Sequence, residues 1–217
     1  MANEQNTETP VGPSEAVGVG PHALPWPDDP RFDDALLANG DRRNVVDHYR
    51  YWTVEAIKAD LDTRRHPFHV AIENWQHDLN IGTVVRTANA FLSAEVHIVG
   101  RRRWNRRGAM VTDRYQHVRH HPTPDDLAAW ADDEGVVVIG IDNLPGSTLL
   151  AASPLPERCV LVFGQEGPGL SEGMRAAVSE CRSIPQYGST RSINAGVAAG
   201  IAMYAWIDQH ASTLPAR

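Results

Sequence analysis

The sequence has few cysteines, almost no lysine and no long apolar run. Cys159 and Cys181 are the only cysteines, and they lack the spacing of a zinc site and the density of a disulfide scaffold. Both lie in apolar, strand-like runs, so we predict core thiols in a reducing compartment. No apolar run approaches the roughly 20 residues that a membrane helix needs, and no secretory signal is visible. We therefore expect a cytoplasmic protein that makes no use of a membrane.

An excess of positive charge is also missing. The net charge is −7, which argues against nucleic-acid binding through overall charge. Lys58 is the only lysine among the 20 basic residues, so arginine carries nearly all the positive charge. One segment concentrates five arginines around Trp104, namely Arg101, Arg102, Arg103, Arg106 and Arg107. Such a segment is either a solvated basic loop or a surface for phosphates and stacked bases.

Composition divides the chain into three regions. Residues 1–30 are rich in Gly, Pro, Ser, Asn and Glu, and we expect a disordered tail there because few large apolar residues are available to bury. Residues 31–66 have spaced apolar residues that predict a small helical appendage, with Thr53 capping a helix over Val54–Leu61. Residues 67–217 form the third and largest region.

From residue 67 onward, strand-like apolar runs alternate with helix-like runs. Strands are predicted over 68–72, 96–99, 116–120, 136–141, 159–163 and 182–184. Helices are predicted over 81–91, 124–133, 170–179 and 193–210, with Thr123 capping the second. Continuous apolar strands that alternate with helices predict an α/β fold, in which helices cover both faces of a parallel sheet. The ten histidines show no metal-binding motif, so we predict no metal.

Three polar or glycine-rich segments join a strand-like run to a helix-like run. They are Asn80–Ala88 (NIGTVVRTA), Phe163–Ser171 (FGQEGPGLS) and Ile184–Asn194 (IPQYGSTRSIN). Each has an ordinary explanation when taken alone. Gly164 suits a tight turn, and Ser192 suits the cap of the last helix. Arg86, flanked by apolar residues, suits a structural ion pair with Glu166 or Glu73.

The small residues of the run 195–202 permit close packing, either within the chain or at a dimer face.

Taken together, the order and spacing of the three segments resemble the three motifs of the SpoU (TrmH-like) branch of SPOUT RNA methyltransferases, over about residues 67–210. This resemblance implies a C-terminal trefoil knot, a homodimer, and S-adenosylmethionine as the cofactor.

The resemblance also implies the residues of the site. It implies that five side chains surround the cofactor and a ribose 2′-hydroxyl, namely Asn80, Arg86, Glu166, Ser192 and Asn194. It implies that the cofactor lies against backbone at strand ends and in the knot, at Ile141, Gly164, Ile184 and Ser192, with Ile193 adjacent.

We therefore predict an S-adenosylmethionine-dependent methyltransferase that acts on a ribose 2′-hydroxyl of tRNA or rRNA and contacts RNA through Arg101–Arg107. A guanidinium is a very weak base, so Arg86 is expected to stabilise negative charge on O2′, while Asn80 and Glu166 position it. Two alternatives stay open at this point, a catalytically silent RNA-binding protein and an S-adenosylmethionine-binding scaffold on the same fold.

Overall fold

The computed structural model describes residues 18–76 and 79–211 of the chain. These residues fall into two compact units that divide between Ile57 and Lys58. No helix in the described ranges is long and apolar enough to cross a membrane. Residues 1–17 lie outside the described part, so disorder over these residues stays a prediction, as do the boundaries of the three regions. Residues 18–30 are described, and Val19 and His22 form backbone hydrogen bonds.

Short helices make up the regular structure of the first unit. Helix α1 spans Asp34–Asn39, and a 3₁₀ turn spans Asp47–Tyr49. Helix α2 begins at Val54 and ends at Asp62, so its residues from Lys58 onward belong to the second unit. The hydroxyl oxygen of Thr53 accepts a hydrogen bond from the backbone N–H of Ala56 at 3.1 Å. The predicted cap at Thr53 is therefore present, and the helix it caps is one residue longer than predicted.

A buried aspartate organises the rest of the first unit. Asp41 forms an ion pair with Arg43 at 2.7 Å, and its backbone exchanges two hydrogen bonds with Val19. Burial alone would raise the pKa of Asp41, but the bonds from Arg43 and from the backbone N–H of Tyr51 help to lower it to about 2. The start of the described chain is thus held by backbone pairing.

The second unit contains a sheet of seven parallel strands. The spatial order of the strands is β3-β2-β1-β6-β4-β7-β5. In chain order the strands are β1 (His69–Asn74), β2 (Val96–Gly100), β3 (Val118–His121), β4 (Val137–Ile141), β5 (Thr148–Leu149), β6 (Cys159–Phe163) and β7 (Glu180–Ser183). The helices are α3 (Asn80–Ala90), α4 (Pro124–Glu134), α5 (Glu172–Ala177) and α6 (Ala195–His210).

Helices cover both faces of this sheet, as predicted. On one face, residues such as Ile72 and Leu161 pack against α3 and α6, with Trp206 fully buried among them. On the other face, neighbours such as Val160 and Val162 pack against α4 and α5. Cys159 is a buried free thiol, and burial raises its pKa to about 12. The continuous apolar runs in the sequence therefore reflect strands buried on both sides.

Each predicted strand and helix of this unit is present with its ends shifted by no more than two residues, and one strand was not predicted. Strand β5 was not predicted, because its two residues, Thr148 and Leu149, are both exposed and carry no apolar pattern. Helix α5 is shorter than the predicted 170–179, and strand β7 begins two residues before the predicted 182–184. The strand predicted over 116–120 begins at Val118. Helix α4 begins after the predicted cap, since Thr123 and Asp126 form a reciprocal capping box. The trefoil knot stays a prediction, because the strand order alone does not define a threaded chain.

Three histidines form a hydrogen-bonded row across β1, β2 and β3. Nδ1 of His69 lies 3.0 Å from Nε2 of His97, and Nδ1 of His97 lies 2.9 Å from Nε2 of His121. The ring of Trp130 in α4 covers the row, 4.2 Å from the ring of His97. Burial, reinforced by the positive charges of Arg158 and Arg119, lowers the pKa of His69 to about 4. Burial also lowers the pKa of His97.

We predict that this row makes the fold less stable as the pH falls. The pKa of a histidine in the unfolded chain is near 6.5. Below that pH the unfolded chain therefore binds protons at these histidines, whereas the folded protein does not. The free energy of unfolding should therefore decrease from pH 7.5 to pH 5, by up to about 1.4 kcal/mol for each unit between the folded and unfolded pKa values.

Urea denaturation at several pH values measures this dependence. The variant His97→Gln should show a flatter pH dependence, whereas His48→Gln, at an exposed position, should keep the slope of the original protein. Equal slopes for all three proteins would show that the row does not control the pH dependence.

Candidate active site

The ends of three adjacent strands form the base of the site. Strand β4 lies between β6 and β7, with Ile141 in register with both Phe163 and Arg182. The carboxyl ends of β4, β6 and β7 therefore meet at one edge of the sheet, where open parallel sheets bind ligands. Ile141 ends β4, Gly164 follows β6, and Ile184 follows β7. Three of the positions predicted for cofactor binding are thus brought to this edge.

A chain of hydrogen bonds joins the three motif segments. Nδ2 of Asn80 donates to Oε2 of Glu166 at 3.1 Å. Oδ1 of Asn80 accepts a hydrogen bond from Nδ2 of Asn194 at 2.9 Å. Asn80 is 8% exposed, and Glu166 and Asn194 are exposed. One buried amide therefore brings together residues from all three segments, which are 86 and 114 positions apart in sequence.

The helix cap predicted at Ser192 is in fact at Asn194. Oδ1 of Asn194 accepts hydrogen bonds from the backbone N–H groups of Gly196 and Val197, at 2.9 and 3.2 Å. Ser192 is exposed two residues earlier, outside helix α6, and Ile193 beside it is half-buried. The prediction was wrong because Ser and Asn cap equally well and their spacing does not distinguish them.

Asn80 lies inside helix α3, although the helix was predicted to begin one residue later, at position 81. It is the first residue of α3, and the cap position belongs to Leu79, which makes no capping side-chain bond. The side-chain amide of Asn80 bonds instead to Glu166 and Asn194. Helices α3 and α6 begin side by side, since a Cβ added to Gly196 would lie 3.1 Å from Cγ2 of Thr83.

Arg86 lies on the exposed side of α3 rather than among its apolar neighbours. Within the described ranges its side chain forms no hydrogen bond or ion pair. The suggested ion pair with Glu73 is absent, because Glu73 is occupied by other donors. Spacing explains this result, since α3 buries Val84, Val85 and Ala88, and a helix turns position 86 away from that face. Arg86 is therefore available to a ligand.

Glu73 is a buried carboxylate that the sequence analysis did not place in the site. It accepts hydrogen bonds from Nε1 of Trp75 at 2.8 Å, and from the N–H and the hydroxyl of Ser171 at 2.8 and 2.6 Å. Ser171 is the cap of α5 and ends the segment that contains Glu166. Glu73 thus fixes one end of that segment to strand β1. An acidic residue near the end of an apolar strand was the available signal.

Asp142 fixes the same segment from strand β4. Its Oδ2 accepts a hydrogen bond from the backbone N–H of Leu170 at 2.9 Å. Gln165 adds a third link, because its Oε1 accepts from the backbone N–H of Trp75 at 3.1 Å. A depression of about 250 Å³ opens beside this segment and is lined by Gln76, Leu79, Gln165 and Glu166.

The arginine-rich loop is attached to the same edge of the sheet. Nδ2 of Asn74, at the end of β1, donates to the carbonyl oxygens of Arg101 and Arg103 at 2.6 and 2.8 Å. The loop then returns to α3, where a Cβ added to Gly82 would lie 2.6 Å from the backbone nitrogen of Ala109. The five arginines of the loop are exposed, and Trp104 is half-buried.

One cluster in the described residues has the composition of a metal site. Ligand atoms of His69, Glu95 and His97 lie within 4.8 Å of one another. The two histidines already bond to each other, and Glu95 accepts from Nε of Arg119 at 3.0 Å. This geometry is that of a hydrogen-bonded row beside a salt bridge. The absence of a metal stays a prediction.

Comparison with known proteins identifies the family. The model of the SpoU rRNA Methylase family matches residues 67–204, which contain all three motif segments. The chain belongs to the SpoU family. Over 214 residues, this SpoU-family chain is 33% identical to an uncharacterized tRNA/rRNA methyltransferase of Mycobacterium ulcerans, with 93% of this chain aligned. It spans 66% of the length of that relative and 45% of one from Mycolicibacterium paratuberculosis.

Solved structures of similar proteins share the fold. The SpoU methyltransferase AviRb of Streptomyces viridochromogenes, in complex with the cofactor AdoMet, is 23% identical with a TM-score of 0.59, over 70% of this chain and 62% of that one. A second structure, described as giving insights into the 2-OH methylation of C/U34 on tRNA, is 27% identical with a TM-score of 0.56. The match covers 68% of this chain and 99% of that one.

We predict that Gly164→Ala disrupts the segment that contains Glu166. The new Cβ would lie 2.0 Å from the carbonyl carbon of Gly169 and 2.2 Å from the nitrogen of Leu170, so the backbone itself would have to move. Overpacking of this kind costs about 1–3 kcal/mol or more. The melting temperature should fall by several degrees.

Gly188→Ala is the matched control, because no atom lies within 4 Å of its added Cβ. It should melt like the original protein. If the two variants had equal melting temperatures, the tight packing of this segment would not contribute to stability.

Proposed function

We propose that the protein is an S-adenosylmethionine-dependent methyltransferase that modifies a ribose 2′-hydroxyl of tRNA or rRNA. The observation that carries the proposal is the hydrogen-bonded chain from Glu166 through Asn80 to Asn194. It brings the polar residues of three family motifs to one edge of the sheet. Support for the ribose 2′-hydroxyl comes from the similar structure that concerns 2-OH methylation on tRNA.

The residues present fit the proposed cofactor. The ends of β4, β6 and β7 offer backbone groups at Ile141, Gly164 and Ile184, and AviRb binds AdoMet on a similar fold. Oε1 of Gln186, in the segment between β7 and α6, is buried and has no hydrogen-bond partner among the described residues. A buried acceptor without a partner is costly, and an amino group on a ligand would satisfy it. Ser192 and Ile193 belong to the same segment.

The proposed reaction needs the ribose 2′-hydroxyl to be aligned with the methyl group and to release its proton to solvent. S-adenosylmethionine supplies a methyl group that is already activated on a sulfonium. Asn80 and Glu166 hold the ribose in line, and Asn194 holds Asn80 in turn. Arg86 carries a permanent positive charge, which stabilises the negative charge that develops on O2′. Helices α3 and α6 begin at Asn80 and Ala195, beside the hydrogen-bonded chain, and the dipoles of their N-termini favour negative charge there.

Transfer of a labelled methyl group tests the proposal directly. The protein is incubated with labelled S-adenosylmethionine and, separately, with total tRNA and total rRNA, and the RNA is digested to nucleosides. We expect label in 2′-O-methylated nucleosides from one of the two pools. Cofactor binding without transfer would support the scaffold alternative, and RNA binding without cofactor binding would support the silent RNA-binding protein. Label on a base would overturn the ribose assignment.

We predict that Arg86→Ala lowers kcat by about 10²–10³-fold, the usual cost of removing one group that stabilises an oxyanion. Arg86 is exposed and makes no bond that the described fold depends on. Melting temperature and cofactor affinity should therefore stay near those of the original protein, as calorimetry measures. The control Arg114→Ala removes another exposed arginine and should keep full activity. Near-native transfer by Arg86→Ala would remove Arg86 from the mechanism.

We further propose a homodimer that uses helix α6. Val197, Ile201 and Tyr204 are 55%, 40% and 58% exposed, and their spacing places them on one side of α6. Exposed apolar residues that line up in this way are typical of protein contacts. The first turns of α3 and α6 lie close together, so a partner on α6 would also lie near the candidate site.

We predict that Ile201→Asp converts the dimer to a monomer, because a carboxylate in an apolar interface loses its solvation. Light scattering at micromolar concentration measures the change in mass. Leu149→Asp places the same charge at an exposed leucine of strand β5 and should leave the mass of the dimer unchanged. A monomeric original protein would contradict the proposal.

A further inference from the structure

A groove lies beside β3, the outermost strand at one side of the sheet. Its volume is about 480 Å³, and it opens to solvent. Residues of β3, of the arginine-rich loop and of helix α2 line it, including Lys58, Arg102, Trp104, Arg106, Arg119 and His120. Of the five arginines in the loop, only Arg102 and Arg106 are among these lining residues. The structure therefore distinguishes Arg102 and Arg106 from the other three arginines of the loop, which the sequence alone does not.

The charges of the groove leave a positive excess. Both acidic residues of the lining are neutralised, since Glu95 pairs with Arg119 at 3.0 Å and Asp113 pairs with Arg106 at 3.2 Å. Lys58 and Arg102 have no acidic partner in the described ranges. Lys58 is also the only lysine of the chain. In a protein with a net charge of −7, this groove is a place where two cations stand unopposed.

The groove also offers an aromatic surface. Trp104 is half-buried, and the guanidinium of Arg106 lies over its ring, 5.3 Å from the ring centre. Unopposed cations bind phosphates, and aromatic or guanidinium planes stack on unpaired bases. An acidic peptide would use the cations but would leave the stacking surface unused. The combination of features favours a single-stranded nucleic acid over an acidic protein segment.

Hydrogen bonds and close packing connect the arginine-rich loop, which lines the groove, to the candidate active site. Asn74 binds the backbone of the loop on both sides of Arg102, and Ala109 packs against Gly82 in the first turn of α3. Asn80 begins that same helix. A single-stranded nucleic acid in the groove would therefore contact a loop whose two ends are fixed beside the hydrogen-bonded chain of Glu166, Asn80 and Asn194.

We propose that this groove binds the phosphodiester backbone of an unpaired RNA segment that flanks the nucleotide to be methylated. The inference rests on the proposed function for the identity of the ligand. Lys58 and Arg102 contact successive phosphates, and Trp104 supports a base. The sequence analysis named Arg102 and Trp104 as RNA contacts but did not name Lys58.

Charge reversal tests the groove against a matched control. Lys58→Glu with Arg102→Glu changes the net charge by four units, as does the control Arg114→Glu with Arg158→Glu at two exposed arginines that do not line the groove. The probe is a fluorescent single-stranded oligoribonucleotide of mixed sequence, with total tRNA as a second probe. We expect the groove variant to bind at least about 30-fold more weakly and the control to lose less than about 3-fold.

The salt dependence gives a second readout. Each phosphate contact to a single strand contributes about −0.7 to the slope of log K against log salt concentration. The groove variant should therefore lose about 1.4 units of slope. The neutral pair Lys58→Gln with Arg102→Gln should lose a similar slope, and melting temperatures establish that each variant is folded. Equal losses in the groove and control variants would overturn the proposal, because binding would then follow net charge alone.

Two further outcomes separate this inference from the proposed function. If the groove variant loses RNA affinity but the original protein transfers no methyl group, the groove stands and the proposed reaction fails. If the original protein transfers methyl groups and the groove variant binds and modifies RNA normally, the groove proposal fails and the reaction stands. Binding of polyglutamate that depends on Lys58 and Arg102, without RNA binding, would assign the groove to an acidic protein partner and overturn the proposal.

Discussion

The candidate site depends on two hydrogen bonds that the side chain of Asn80 forms. Its amide is the only group that bonds to both of the other motif segments in the described structure, donating to Glu166 and accepting from Asn194. Amides suit this position because they carry a donor and an acceptor on one rigid plane. A carboxylate at position 80 would face Glu166 with a like charge, and an alanine would remove both hydrogen bonds that join the segments. The site is therefore a polar contact between three chain segments, held in place by the sheet beneath it.

Carboxylates at strand ends supply the second constraint. Glu73 and Asp142 accept four hydrogen bonds from Trp75, Ser171 and Leu170. Three of these bonds hold the end of the glycine-rich segment, at Leu170 and Ser171, so Glu166 lies in a loop that is anchored to the ends of strands β1 and β4. Anchoring of this kind keeps a polar site in one geometry before a ligand arrives, which lowers the ordering cost of binding. The rigidity of the loop thus comes from residues that belong to no motif.

The sequence predicts the elements of this fold better than their arrangement. Periodicity and caps gave the helix that follows Thr123 and the buried strand Cys159–Phe163, because those signals are local. Strand order is not local, and nothing in the composition of β4 predicts that it lies between β6 and β7. The row of His69, His97 and His121 was missed for the same reason, since three isolated histidines become neighbours only when the sheet pairs. Asn80, Glu166 and Asn194 lie in one hydrogen-bonded chain, but the cap at Asn194 and the exposure of Arg86 could be found only from the structure.

The charge of the whole chain is a poor guide to what the surface can bind. A net charge of −7 gives a weak repulsive field at long range, yet salt screens such a field within about 10 Å. Binding is then decided by charges close to the ligand. In the groove beside β3, the acidic residues are neutralised by Arg106 and Arg119, so the two remaining cations act without local opposition. Under the proposed binding mode, acidic charge elsewhere on the surface would reduce non-specific association with nucleic acid, whereas the local positive groove would keep contact with one RNA strand. The same distribution of charge would then provide affinity at the groove and selectivity away from it.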